Sequence, residues 1–230
     1  MKVELNPAFI LHTRPFRNTS LLVYFFTQEH GRVSTVAKNA RGPKSRFRGQ
    51  LQLFSPMSVS FLGQHELKTL TQADIYGMPF QLNQTALFCG FYLNELLMRL
   101  LHPEDPYPKL FALYQDTLSE LEKNSALDVA LRLFEKKLLD MLGYGLSLTR
   151  EAKTGMSILP DCRYVYEPHQ GFLLADAFSA NTHTFIGADL LAIAEENFQK
   201  EKTLMAAKRL MRLALSPLLS DKPLNSRLLF

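Results

Sequence analysis

Tryptophan is absent from the 230 residues, and cysteine nearly so, with only Cys89 and Cys162. Cys89 falls in an apolar helical pattern with Leu87, Phe88 and Phe91, which makes it a core thiol. No stretch approaches the roughly 18 uncharged apolar residues of a membrane span. The opening Met-Lys-Val-Glu-Leu-Asn-Pro also lacks the apolar run of a signal peptide. A cytoplasmic, reducing setting without membrane contact is the expectation. The usual catalytic signatures are missing too: there is no G-x-S-x-G, H-E-x-x-H or G-x-G-x-x-G. Gly42-Pro43-Lys44-Ser45 has the look of the end of a phosphate-binding loop, but Lys38-Asn39-Ala40-Arg41 stands where its upstream glycine belongs. Cys162, His169 and His183 match no zinc spacing and lack a fourth ligand. The chain is therefore read as neither an enzyme nor a metal or cofactor protein; an enzyme would need scattered acid and base groups, for instance around His169 or His183.

Acidic residues are missing where basic ones crowd. Arg32, Lys38, Arg41, Lys44, Arg46 and Arg48 follow one another with no Asp or Glu between Glu29 and Glu66. The first 80 residues hold ten Lys/Arg against four Asp/Glu, a net +6 that leaves −2 for the other 150. Positive potential concentrated in the first third is expected if that third meets nucleic acid, because cations displaced from the phosphate backbone supply much of the binding free energy. A solubilising loop, or one that docks an acidic protein partner, is the alternative reading of the same charges.

A hydrophobic fraction of 47% with 17 Phe can bury a real core. Strand patterns cover residues 5–13, 20–27, 32–37, 57–62 and 67–75, and Glu29-His30-Gly31 supplies the turn of a hairpin. Five short strands in about 75 residues suit a small OB-fold barrel, a recurrent single-strand binder. After Met78-Pro79 the hydrophobic period changes from 2 to 3.6, with helices expected over 83–101, 108–122, 125–142, 188–198 and 203–215. Ser125 with Asp128 has the form of a capping box. The fold class is thus α+β, with a domain at 1–80 and a helical one at 81–230. Residues 146–186, punctuated by Gly155, Pro160, Pro168 and Gly171, are expected to be irregular.

Tyr24, Phe25, Phe26, Phe47, Phe54 and Phe61 interleave with the basic residues. Most belong in a barrel core, since alternate strand residues point inward, and Phe47 is the first candidate to face DNA bases as a stacking platform. In the helical part, Arg132, Lys136 and Lys137 lie beside Leu131, Phe134 and Leu138, and Lys202, Lys208, Arg209 and Arg212 beside Leu204, Leu210 and Met211. A groove with apolar walls and basic lips suits an acidic, hydrophobic peptide, a solvated basic face being the plain alternative.

Read in order, several motifs together resemble the RecO family of bacterial DNA repair and recombination proteins. They are residues 21–27 followed by Gly31-Arg32; Val36-Ala37-Lys38-Asn39-Ala40-Arg41 with Lys44-Ser45; Leu53-Phe54-Ser55-Pro56; Glu66-Leu67-Lys68-Thr69-Leu70; Tyr92-Leu93-Asn94-Glu95-Leu96-Leu97; Leu131-Arg132-Leu133-Phe134-Glu135; Leu142-Gly143-Tyr144-Gly145; and Lys222-Pro223-Leu224-Asn225-Ser226-Arg227. The resemblance spans nearly the whole chain. It implies an N-terminal OB-fold, a helical C-terminal domain and no enzymatic turnover. It also implies binding of single- and double-stranded DNA, annealing of complementary strands and, with RecR, loading of RecA onto DNA coated by single-stranded-DNA-binding protein. The acidic C-terminal tail of that coating protein is a further implied partner, and the nucleoid the implied location.

From the basic run itself Arg32, Lys38, Arg41, Lys44, Arg46 and Arg48 are expected to contact phosphate, with Asn39 and Ser45 as neutral neighbours. Arg132, with Lys136, Lys208, Arg209 and Arg212 around it, is expected to receive the tail's carboxylates. One departure is clear. Many members carry a four-cysteine zinc site, whose two C-x-x-C places read here Glu151-Ala152-Lys153-Thr154 and Leu174-Ala175-Asp176-Ala177. The insertion is expected to be a degenerate zinc site that holds no metal.

Overall fold

Apolar alternation through the first third of the chain becomes a closed five-stranded barrel in the computed structural model, which describes residues 2–176, 183–220 and 223–226. Strands β1 (Lys2–Phe16), β2 (Ser20–Thr27), β3 (Gly31–Ala37), β4 (Met57–Leu62) and β5 (Leu67–Ile75) close in the order β1-β2-β3-β5-β4. β4 returns antiparallel to β1, and β3 runs parallel to β5, an OB-like arrangement. β1 is longer than its pattern predicted because bulges between Val3 and Asn6 and between Ile10 and His12 curve one strand along two partners. Ile10, Val23, Phe25, Val33, Met57, Val59, Phe61 and Leu70, each at most 1% exposed, fill the barrel. Each such side chain stabilises the fold by about 1.5–3 kcal/mol relative to exposure.

The hairpin turn between β2 and β3 forms as its chemistry predicts. Gly31 sits at φ +58°, and a Cβ there would lie 1.8 Å from the Asp105 carbonyl oxygen, so only glycine fits. Thr27 Oγ1 donates to the Gly31 carbonyl at 2.9 Å and accepts from the His30 N–H at 3.1 Å.

Helices α1 (Thr85–Leu100) and α2 (Pro108–Lys123) pack on the outside of the barrel and belong to the same compact unit. Phe9 and Phe26 face outward from β1 and β2 and meet the rings of Phe111 and Tyr114 at 5.3–6.1 Å between centroids. Buried Asn94 fixes the register: its Nδ2 donates to the Leu11 carbonyl at 3.0 Å, and its Oδ1 accepts from the Tyr114 hydroxyl at 2.6 Å. Burial drives the Tyr114 phenol far above its ordinary pKa, so it stays a neutral donor. The chain returns to this unit at its end, where the Glu95 carboxylate accepts from the Asn225 N–H at 2.9 Å and from the Ser226 N–H and hydroxyl at 2.8 and 2.6 Å.

The compact units accordingly divide after Ser125, with the segment from Leu224 rejoining the first, whereas the change of period falls near residue 80. A change of period marks a change of secondary structure, not the edge of a core.

The second unit, Ala126–Pro223, contains α3 (Leu127–Met141), β6 (Arg163–Glu167), β7 (Gly171–Leu174), β8 (Thr184–Ile186), α4 (Gly187–Ala194) and α5 (Glu201–Leu215). The three strands form an antiparallel sheet in the order β7-β6-β8, where the sequence suggested irregular chain over 146–186. Tyr166, Phe172 and Phe185 knit it, with centroids 5.2 and 6.0 Å apart. Strands of three to five residues between Gly and Pro carry too little periodicity to be recognised singly. The Ser125 capping box does not form, since α3 starts after Ala126 with no side-chain cap. Ala177, Lys222 and Arg227, named in the motifs above, lie outside the described residues. Among those described, no helix is long and apolar enough to cross a membrane.

Candidate nucleic-acid interface

Residues 5–65 hold eight Lys/Arg and a single acid, Glu29. Most of these cations lie on the connection between β3 and β4, residues 38–56, which is tied down at both ends. Near its start, the Arg41 N–H donates to the Thr19 carbonyl at 2.8 Å. The Arg41 guanidinium donates to the carbonyls of Arg17 (2.8 Å), Asn18 (2.7 Å) and Ser20 (3.2 Å). Arg41 therefore stitches the loop to the β1–β2 turn, and most of its donors are used in doing so. Further along, Phe47 is 3% exposed and joins the barrel core, with Ala40, Leu51 and Leu53 packed against that core.

This corrects the expectation for Phe47. A side chain that closes the barrel end cannot stack on a base, and sequence alone could not tell an inward from an outward ring within a loop. Its burial instead presents its neighbours. Lys38, Lys44, Arg46 and Arg48 are exposed, with the Arg46 guanidinium 4.8 Å over the Phe47 ring. Among the described residues none of these four has a carboxylate within ion-pair distance.

Arg32 does not join them. It is half-buried at the opposite end of β3, where its Nε donates to the Leu101 carbonyl at 3.1 Å and its strand bridges to Pro103. Six strand steps, about 20 Å at ~3.3 Å each, separate that end from Lys38. Arg14 and Arg17, by contrast, are exposed on the β1–β2 hairpin to which Arg41 binds the loop, and neither is ion-paired among the described residues. The signal for them was available, because residues 5–28 contain no acid.

In the second unit the predicted cations separate into two kinds. Arg132 is 4% exposed and closed on Glu135, Nε to Oε2 at 2.8 Å and Nη2 to Oε1 at 2.8 Å. Buried and closed on Glu135, it is not presented to an incoming carboxylate, which corrects its expected role. Lys136 donates to the Ala194 carbonyl and pairs with Glu196, both at 3.1 Å. The remaining three gather around a groove of about 940 Å³ between β6, β8, α4 and α5. Phe185, Ile186, Met205 and Leu213 give it an apolar lining, and Arg163, Lys202, Lys208, Arg209 and Arg212 line it as cations. Arg209 lies 4.4 Å over the Phe185 ring and donates to the Thr184 carbonyl at 2.5 Å. Lys208 is 3.7 Å from Asp128. Asp189 also lines the groove and accepts from the Thr203 hydroxyl at 2.7 Å.

At the first place where the resemblance puts a cysteine pair, the turn is held by a carboxylate. Glu151 accepts from the Thr154 hydroxyl and, at 2.6 Å, from the Thr154 N–H, with further backbone donors at Lys153 and at Leu174 in β7. These hydrogen bonds, led by the Thr154 hydroxyl, hold its pKa below the usual carboxylate value. Among the described residues no three His, Cys, Asp or Glu side chains gather as a metal would require.

Residues 1–78 match the family model described as Recombination protein O N terminal, and residues 82–228 match Recombination protein O C terminal. A DNA repair protein RecO of Coxiella burnetii (strain CbuG_Q212) is 51% identical over 226 residues, 98% of this chain and 97% of its own. Those of Methylococcus capsulatus and Haemophilus influenzae (strain 86-028NP) are 44% and 42% identical, each over 100% of this chain and over 93% and 97% of their own. An OB-like barrel with unpaired cations, followed by helices, is matched to one family along almost its whole length, and the chain belongs to the RecO family of DNA repair and recombination proteins.

Proposed function

We propose that this chain is a non-enzymatic recombination mediator of the cytoplasm and nucleoid. It binds single- and double-stranded DNA through its barrel, anneals complementary strands and, with RecR, promotes loading of RecA onto DNA coated by single-stranded-DNA-binding protein. The observation that carries this reading is the basic loop between β3 and β4, where Lys38, Lys44, Arg46 and Arg48 stand exposed with no carboxylate in ion-pair distance among the described residues. Such cations exchange with the counterions of a phosphate backbone and read no sequence. A site that neutralises backbone charge without reading bases also lowers the repulsion between two complementary strands.

The second partner surface is the groove of the helical unit. Arg163, Lys202, Lys208, Arg209 and Arg212 around Phe185 and Met205 suit an acidic, hydrophobic peptide such as the tail of the coating protein, in place of the buried Arg132. In the insertion, Glu151 does by hydrogen bonds what a metal does in zinc-bearing relatives, so purified protein should carry no stoichiometric zinc.

Titration of a labelled single-stranded oligonucleotide at several salt concentrations tests the DNA site. Replacing Lys38, Lys44, Arg46 and Arg48 by Ala should flatten the slope of log affinity against log salt by about 3, at ~0.7 per contact. Equal slopes for both proteins would remove the DNA site from this loop. Binding by neither protein would favour docking of an acidic protein partner there.

A further inference from the structure

We propose that Tyr24, with Arg14 lying over it, is the base-stacking platform of the DNA site, so that single-stranded DNA runs from the basic loop across the outward face of the β1–β2 hairpin. This rests on the DNA-binding reading above and assigns a residue that the basic run does not contain.

Along β2 the side chains alternate. Val23 and Phe25 enter the barrel core, while Leu22, Tyr24 and Phe26 face outward. Phe26 is covered by Phe111 and Tyr114. Tyr24, two residues away on the same face, keeps part of its ring open. Its cross-strand neighbours are His12 on β1, exposed and with ring centroids 6.1 Å apart, and Ser34 on β3.

Charge placement points to the occupant. The Arg14 guanidinium lies 5.8 Å from the Tyr24 centroid, and just past the end of β1 Arg17 lies 5.3 Å over Phe16. Both arginines are exposed, and neither has a carboxylate partner among the described residues. An exposed cation–π contact is weak, so an arriving phosphate can draw Arg14 off the ring while a base takes its place. Outward positions on a strand recur about every 6.7 Å, which sets arginine and aromatic groups at regular intervals. The Arg41 hydrogen bonds to the carbonyls of Arg17, Asn18 and Ser20 make this hairpin continuous with the basic loop. An acidic protein would use the cations but have no need of the ring, and duplex DNA keeps its base faces stacked; a single strand uses both.

The test compares Tyr24→Ala, Tyr24→Leu and Tyr24→Phe with the wild type, titrating a single-stranded oligonucleotide carrying 2-aminopurine and a duplex of the same length. Alanine and leucine should each weaken single-strand binding about ten-fold. The salt slope and duplex affinity should stay unchanged, and phenylalanine should retain binding. Photocrosslinking of an iodouracil-substituted strand to the wild-type protein, mapped by mass spectrometry, should label Tyr24 and needs no variant to fold. Wild-type binding by Tyr24→Leu, equal losses for strand and duplex, or a crosslink elsewhere would overturn the platform. If the loop variant above is impaired while Tyr24→Leu is not, the platform alone fails; if the loop variant also binds normally, the DNA-binding reading itself fails.

Discussion

Arginine and lysine serve opposite purposes at the basic end of the barrel and around α3 of the second unit. At the barrel end Arg14, Arg17, Lys38, Lys44, Arg46 and Arg48 face water with no carboxylate partner among the described residues. In the second unit Arg132 is closed on Glu135, Lys136 and Lys137 share Glu196, and Lys208 faces Asp128. A cation whose partner is built into its own fold contributes to that fold. One left without a partner is available to a ligand, because nothing must be broken before the ligand binds. The basic count of a segment therefore says less about binding than the carboxylates around it.

The largest effect that could break this contrast belongs to Arg132. Arg132→Ala strands the Glu135 carboxylate in the core and should cost about 3–5 kcal/mol in urea denaturation, with most of the loss recovered in an Arg132→Met/Glu135→Leu double variant. A loss under about 1 kcal/mol would mean that the pair opens to solvent and that Arg132 is free to bind after all. Phe47→Ala should destabilise the barrel unit by about 3–5 kcal/mol, yet leave the salt slope of the remaining folded protein untouched. A specific loss of single-strand affinity at unchanged stability would return Phe47 to the DNA site.

Charge reversal in the groove comes next. Arg209→Glu with Arg212→Glu should weaken an acidic, hydrophobic peptide at least ten-fold in a fluorescence anisotropy titration while sparing DNA binding by the barrel. Equal loss of both ligands would mean that the two units do not divide the work.

The smallest effects are two acid-sensitive clasps, one in each unit. For Glu95, burial raises the pKa, but hydrogen bonds from Ser226 and Asn225, with the Arg99 charge, outweigh it and leave the folded value below 4.5. For Glu151 the Thr154 hydroxyl leads the lowering from 4.5. Both clasps contribute in full above the unfolded value and are lost as pH falls through the folded one. Glu95→Gln and Glu151→Gln should each flatten part of the fall in melting temperature below pH 4.5. A fall unchanged from wild type in either variant would assign that acid sensitivity to other carboxylates.

Sequence alone determined the five barrel strands, the helices, the Gly31 turn and the acid-free basic segment. Each of these is local: alternation, a 3.6-residue period, a left-handed glycine and a charge count are written in neighbouring residues. Only the tertiary structure decided what depends on residues far apart. Phe47 and Tyr24 are both aromatic residues among cations, and the barrel's closure turned one inward and left the other out. Arg132 and Lys44 are both basic, and the packing of α3 buried only the first. Residues 85–123 read as the start of a helical domain, but Asn94, Phe111 and Tyr114 bind them to the barrel. The sheet of β6, β7 and β8 escaped the sequence for the same reason, since each short strand is stabilised by partners its own residues do not name.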